Sequence, residues 1–314
     1  MNKYLYSSTK PFKTSLIQVD SKHRLKIKEY GNPKGIPIIF LHGGPGSKTN
    51  DYIIRFFDKR RYHLVTFDQR GCGSSRPLGE LTDNNTQELV SDIDKIRLHC
   101  EFKKVVLVGG SWGATLALLY MIQYPQNVIS FMLTGFTLLK EALFTSKLQK
   151  RIPEDWNQFM KLGHPEDLKK TIDKYFQKIK EGHPKYIQGW TEIENKHLTL
   201  TTPINTSSES DKEKQIAALL ESYYFKNNFF LPNNYIQDNL HKCKKIFGVI
   251  IHGHEDVICN LDDSKIIHKR LPRSTLRIIN QAGHSYLEPL IGQSLFKATQ
   301  DLCQQYFHQR EKFY

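Results

Sequence analysis

The 314-residue sequence predicts an α/β fold with a mostly parallel central sheet. Three observations carry this. Short apolar runs alternate with helical patterns, as in strands joined by crossover helices. Two period-two segments precede them. The strand signal then vanishes between about Leu139 and Leu240, where helical segments take over, and returns at Ile246.

The elements follow in chain order. TSLIQVD and HRLKIKEYG alternate apolar and polar residues, the pattern of half-exposed antiparallel strands. The later runs IPIIFLH, YHLVTFD, KVVLVGG, VISFMLTG, IFGVIIHG and TLRIIN read as buried strands of a parallel sheet. The strandless stretch reads as an inserted all-helical cap. The expected organisation is a core segment over 1–138, the cap over 139–240 and a second core segment over 241–314. Without repeats or a low-complexity linker, the cap is expected to pack on the core.

Composition excludes several function classes. The chain is 39% hydrophobic and 25% charged, which is neither fibrous nor disordered. No apolar run reaches the roughly 18 residues of a membrane span, and the start MNKYLYSSTKPFKTSLIQVD lacks an apolar signal region, so a cytoplasmic protein is expected. Five scattered cysteines, Cys72, Cys100, Cys243, Cys259 and Cys303, contain no CxxC pair and are expected to be reduced thiols. The net charge of +13 invites an acidic partner, but the basic residues are interleaved with acidic ones, as in KKTIDKYFQKIKEG. That pattern favours solvated helix faces over a nucleic-acid surface.

Chemistry concentrates in VVLVGGSWGATLALLYMIQY, residues 105–124, where a buried strand runs through Gly109, Gly110, Ser111, Trp112 and Gly113 into a helix. This is a GxSxG sequence in strand, turn and helix context, and it marks Ser111 as the candidate nucleophile. Alone, it reads equally as a glycine-rich turn capping a helix or cradling phosphate. A dinucleotide site is excluded, because GGSWGA lacks the GxGxxG register and no acid ends the next strand.

A serine nucleophile needs an imidazole to take its proton and a carboxylate to orient that imidazole. Both are expected in loops after later strands, in the order serine, acid, histidine. HEDVIC after IFGVIIHG offers Asp256, and AGHSYLEP after TLRIIN offers His284. Glu255, Asp262 and Asp263 are rival acids. Asp256 is preferred for its place near the strand end with Val257 and Ile258 behind it. His252 and His254 are rival bases; His252 reads as a packed strand-end residue, and His284 is preferred in its loop between Gly283 and Ser285. The turn HGGPG after IPIIFL offers Gly43 and Gly44 as oxyanion-hole donors beside the Trp112 N–H, against the alternative of a plain glycine-rich hairpin. No HExxH or comparable ligand set occurs, so neither a metal nor an organic cofactor is expected.

Six segments taken together, HGGPG at 42–46, DQRGCGSS at 68–75, NNTQELVSDIDKIR at 84–97, GGSWGATLALLY at 109–120, GHEDVIC at 253–259 and AGHSYLEP at 282–289, resemble the proline iminopeptidase family. That resemblance implies an α/β-hydrolase fold, release of N-terminal proline from small peptides, and Ser111, Asp256 and His284 at the matching catalytic positions. A pocket for such a terminus should pair apolar walls with carboxylates for the amine. In WTEIE, Glu194 stands one helical turn after Trp190, with Glu192 turned away; in ESYYFKNNFF, Glu221 shares a face with Ala217 and Tyr224. These glutamates could equally pair with lysines or arginines inside the cap. The two segments resemble the family's amine-binding glutamates, and Phe136 resembles its aromatic residue against the proline ring.

The chain departs from the family pattern at Thr134, where an arginine usually precedes the strand-end glycine, and at ALFTSKLQKR, where a tyrosine-rich segment is expected. These departures open a relaxed preference for other small N-terminal residues. Two further readings stand beside the peptidase: a carboxylesterase or small lactone or amide hydrolase using the same triad, and a non-catalytic binding protein on the same fold.

Overall fold

The computed structural model describes residues 5–139, 149–150, 152–196, 198, 200 and 210–311. The side chains of Glu194 and Asn195 and those beyond 306 lie outside this description, as does most of ALFTSKLQKR.

Eight strands form one sheet: β1 (Lys13–Gln18), β2 (Arg24–Gly31), β3 (Ile36–Leu41), β4 (Tyr62–Phe67), β5 (Val105–Gly110), β6 (Val128–Thr134), β7 (Phe247–Gly253) and β8 (Ser274–Ile279). Their order is β1-β2-β4-β3-β5-β6-β7-β8. The pairs β1/β2 and β2/β4 are antiparallel, and all the others are parallel. The sheet is therefore mixed at its start and parallel afterwards, as the change from alternating to continuous apolar runs predicts.

Side-chain alternation sorts the core onto two faces. Val105 and Leu107 of β5 pack on one side with helix α1 (Thr86–His99), helix α2 (Trp112–Gln123) and Ile267 of α8 (Leu261–Arg270). Val106 and Val108 face the other side, against Ile291, Leu295, Ala298 and Leu302 of the C-terminal helix α9 (Pro289–Glu311). Both faces are covered, so every residue of β4 and β5 is buried. Helix α1 starts at Asn85, whose side chain accepts the Glu88 N–H at 3.0 Å. Helix α2 is buried through Ile122, which accounts for its alanine- and leucine-rich sequence.

Between β6 and β7 lie α3 (Pro153–Leu162), α4 (Leu168–Lys180), α5 (Pro184–Asn195), α6 (Asp211–Lys226) and the short α7 (Tyr235–Asn239). They carry their own cluster, with Trp156, Phe159, Tyr175, Ile179, Trp190 and Ala218 at its centre. Helix α6 joins two cores: Ala218 belongs to the helical cluster, whereas Tyr224 packs edge-on against Trp112 of α2 with ring centroids 5.4 Å apart. The Tyr224 hydroxyl donates to Asn84 Oδ1 at 2.9 Å, tying the helix to the start of α1. No helix among the described residues is long and apolar enough to cross a membrane.

Beneath α6, the loop after β4 is locked by Arg70. Its buried guanidinium grips Asp92 of α1 through two bonds of 2.6 and 2.8 Å and also reaches Asp20 and Glu88. The order of strands makes β3 the switch point, since the chain leaves it toward β4 on one side and returns to β5 on the other. The crevice beyond the carboxyl ends of β3 and β5 is where open α/β sheets place ligands.

Candidate active site

Four loops at the carboxyl ends of β3, β5, β7 and β8 build this crevice. At the end of β5, Ser111 adopts φ 55° and ψ −127°. A non-glycine residue in this region is strained by about 1–3 kcal/mol, so the surroundings must hold it. They do: the Ser111 N–H donates to Thr134 O at 2.9 Å, and its carbonyl accepts from Ala114 and Thr115 at 3.0 and 3.2 Å. The close strand–helix approach leaves no room at the flanking glycines. A methyl on Gly113 would lie 2.1 Å from Leu41 O, and one on Gly109 would lie 2.4 Å from Gly113 O. Trp112 opens α2, so its N–H has no acceptor within the helix and faces the N-terminal end of the dipole.

The HGGPG turn follows β3 and approaches the serine directly, because a Cβ placed on Gly43 would be 4.0 Å from Ser111 Oγ. Its shape is held from behind. Buried His42 accepts the Gln69 N–H on Nε2 at 3.0 Å, which leaves Nδ1 as the donor to Gly43 O at 2.9 Å. Burial lowers the pKa of His42, favouring this neutral form. The Gly43 carbonyl shares a peptide plane with the Gly44 N–H, so the imidazole orients that N–H as well. The Gln69 side chain completes the brace, donating to His42 O at 2.9 Å and accepting from Trp112 Nε1 at 3.0 Å. Sequence reading missed Gln69; its only signal was its place inside DQRGCGSS.

The loops after β7 and β8 bring the acid and the imidazole together. His284 Nδ1 lies 2.8 Å from Asp256 Oδ2, and both residues are buried. Asp256 Oδ1 accepts the N–H groups of Ile258 and Cys259 at 2.9 and 2.8 Å. Burial by itself would raise the carboxyl pKa, but the His284 and His252 imidazoles outweigh it and hold Asp256 well below the usual carboxylate range. His252, read from sequence as a packing residue, contacts the acid: its Nε2 is 3.3 Å from Asp256 Oδ2 and 3.2 Å from Cys259 O, with Nδ1 2.7 Å from Ser264 Oγ. Gly135 at the end of β6 lies against the His284 ring, and a methyl there would be 3.0 Å from Nδ1. The rival acids point elsewhere: half-buried Glu255 pairs with His254, and Asp263 accepts the Leu138 N–H.

Ser111 and His284 line one cavity of about 810 Å³, together with Gly43, Gly44, Thr134 and Glu221. Small-ligand sites span about 300–1,000 Å³. Glu221 of α6 is buried and accepts the Trp190 Nε1–H at 2.8 Å. Trp190 and Ala217 also form part of the wall, so the helical insert roofs the serine. Leu220, next to Glu221, presses on the HGGPG turn, since a Cβ on Gly46 would fall 2.7 Å from the Leu220 Cβ. Glu192 is exposed and bonded to Gln188, while the Glu194 side chain lies outside the described residues. Phe136 is fully buried in the main core with Trp112, one residue beyond the Gly135 that abuts His284. Among the described residues, the one trio with atoms close enough to share a metal is Asp256, Cys259 and His284, and it coincides with the acid–imidazole pair.

Residues 36–288 match the model of a family described as the alpha/beta hydrolase fold. The chain is 34% identical over 306 residues to a proline iminopeptidase of Xylella fastidiosa (strain 9a5c), covering 94% of this chain and 98% of the relative. It is 33% identical over 311 residues to a proline iminopeptidase of Arabidopsis thaliana, covering 95% and 82%. Among solved structures, a proline iminopeptidase from Mycobacterium smegmatis superposes with a TM-score of 0.65 at 18% identity, covering 93% of this chain and 98% of that one. That likeness speaks to the fold alone.

Proposed function

This chain belongs to the proline iminopeptidase family of the α/β-hydrolase fold, and we propose that it releases N-terminal proline from small peptides by acyl transfer through Ser111. The observation that carries the reading is a buried carboxylate, Glu221, on the wall of the same cavity as Ser111 and His284. On the wall of that cavity a carboxylate can receive the ammonium of a free peptide terminus in a charge-assisted hydrogen bond, which is stronger where water is excluded.

In this mechanism Ser111 attacks the prolyl carbonyl while His284 takes its proton. The N–H groups of Gly43, Gly44 and Trp112 receive the developing oxyanion, in a hole set in advance by His42 and Gln69. His284 then protonates the leaving amine, and a water activated by the same imidazole cleaves the prolyl ester. Asp256 fixes the imidazole throughout and stabilises its charged form. The reaction needs no metal or organic cofactor. Glu221, with Glu194 as a second carboxylate, selects the free amine, and Trp190 supports the ring; fully buried Phe136 acts on the ring only through the packing around it. None of the five cysteines is in a disulfide and four of them are buried, which fits a reducing compartment and a cytoplasmic site of action.

A panel of arylamides tests the reading: prolyl, alanyl and leucyl substrates, the N-acetylated prolyl compound, and an acetate ester. The prolyl arylamide should turn over fastest and its acetylated form should be refused. Ester hydrolysis without aminopeptidase activity would replace the reading by a carboxylesterase, and failure of a fluorophosphonate to label Ser111 would point to a binding protein.

A further inference from the structure

The cavity that holds Ser111 is electrically two-ended. Its inner part contains buried Glu221, whereas the rest of its lining carries exposed Lys48, Arg76 and Lys212 and half-buried Lys28 and Lys214 against two carboxylates, Asp51 and Glu213. Those two acids are already engaged: Lys48 meets Glu213 at 2.7 Å and Lys28 meets Asp51 at 3.3 Å. Lys214 stands 4.0 Å from the fully exposed Asp211. Among the described residues, Arg76 Nη1 meets only the carbonyls of Gly73 and Ser75, and no carboxylate pairs with Lys212. Among the described residues the mouth thus keeps a cationic surplus, and the +13 net charge of the whole chain reinforces that field.

We propose that Arg76 and Lys212 form a subsite for a carboxylate on the leaving part of the substrate, making short peptides with a C-terminal or side-chain carboxylate the favoured class. The inference rests on the aminopeptidase reading. In an extended short peptide the ammonium and the carboxylate lie at opposite ends, so a site with an anion inside and cations at its mouth matches both charges in a single orientation, the one that presents the N-terminal carbonyl to Ser111. A reversed peptide would place like charges together at both ends. The cations are solvated, so each pairing is weak and sensitive to salt.

The test compares kcat/KM for three peptides: Pro-Gly-Gly, Pro-Gly-Gly-amide and Pro-Gly-Glu-amide. At low salt the first, the third or both should exceed the neutral amide by about three- to tenfold, with the difference in KM. Which one gains tells whether the recognised group is the terminus or a side chain. The advantage should shrink in 0.5 M salt and in the Arg76→Gln/Lys212→Gln double variant. Equal values for all three peptides in the wild-type enzyme, or an advantage that survives the double variant, would overturn the subsite. Prolyl arylamide, which has no carboxylate, serves as the separate readout: loss of turnover on it as well as on all three peptides would instead remove the aminopeptidase reading.

Discussion

His252 and His284 approach the same oxygen of Asp256, Oδ2, at 3.3 and 2.8 Å. One imidazole faces the serine's cavity; the other is wholly buried and anchored by Ser264. The acid is therefore held by four donors, two of them backbone N–H groups. Such a carboxylate cannot swing away from His284 without stranding a buried histidine.

If His252 positions Asp256, His252→Phe should lower kcat about tenfold while leaving KM nearly unchanged. Losing one donor leaves more of the carboxylate's charge to His284, so the acidic limb of kcat/KM should move to higher pH. His252→Gln, which keeps an N–H, should recover part of the loss. A variant that is less stable but has an unshifted pH profile would reduce His252 to a packing role.

Selection for a free amino terminus should reside in Glu221. Glu221→Gln keeps an acceptor for Trp190 Nε1 but removes the charge, so the ratio of free to N-acetylated substrate should fall by about ten- to a hundredfold. Ester hydrolysis by Ser111 should fall far less. An unchanged ratio would move amine recognition elsewhere in the cavity.

The tight turn at Ser111 should be intolerant of a single methyl. In Gly113→Ala the new Cβ meets Leu41 O at 2.1 Å, and urea denaturation should show a loss of at least about 3 kcal/mol or no folded protein. Gly79→Ala is the control, with a left-handed φ of +68° but no atom nearer than 3.8 Å, and should cost about 1 kcal/mol. Equal effects would mean that backbone strain, not steric overlap, dominates.

Stability should fall on mild acidification. His42 has a lowered pKa in the folded protein, so its contribution is complete above the unfolded value of about 6.5 and is lost as pH falls toward the folded value. The slope from this group is at most about 1.4 kcal/mol per pH unit. Urea midpoints between pH 7.5 and 5.5 should decline, and His42→Asn should decline less steeply. Parallel slopes would mean that His42 titrates alike in both states.

Much of this molecule is written locally. A run such as VVLVGGSWGATLALLY contains its strand, its turn and its helix, because side-chain alternation, glycine size and helix-forming residues act over a few positions. The mixed sheet was legible for the same reason, as antiparallel and buried parallel strands differ in pattern. The order of Ser111, Asp256 and His284 was also legible, since each follows a strand whose carboxyl end marks the ligand side of a parallel sheet.

What the sequence by itself determined was which strands form, where they end and which reactive side chains stand at those ends, because these depend on neighbours in the chain. Only the tertiary structure decided that His252 shares the acid with His284, that Gln69 braces the HGGPG turn against Trp112, that Phe136 is buried in the core and that Glu221 faces the serine's cavity. Each of these joins groups from separate strand-end loops or layers, or rests on how those layers stack. Their contacts are set by sheet order and by the docking of α6 on the HGGPG turn, which no short-range pattern encodes.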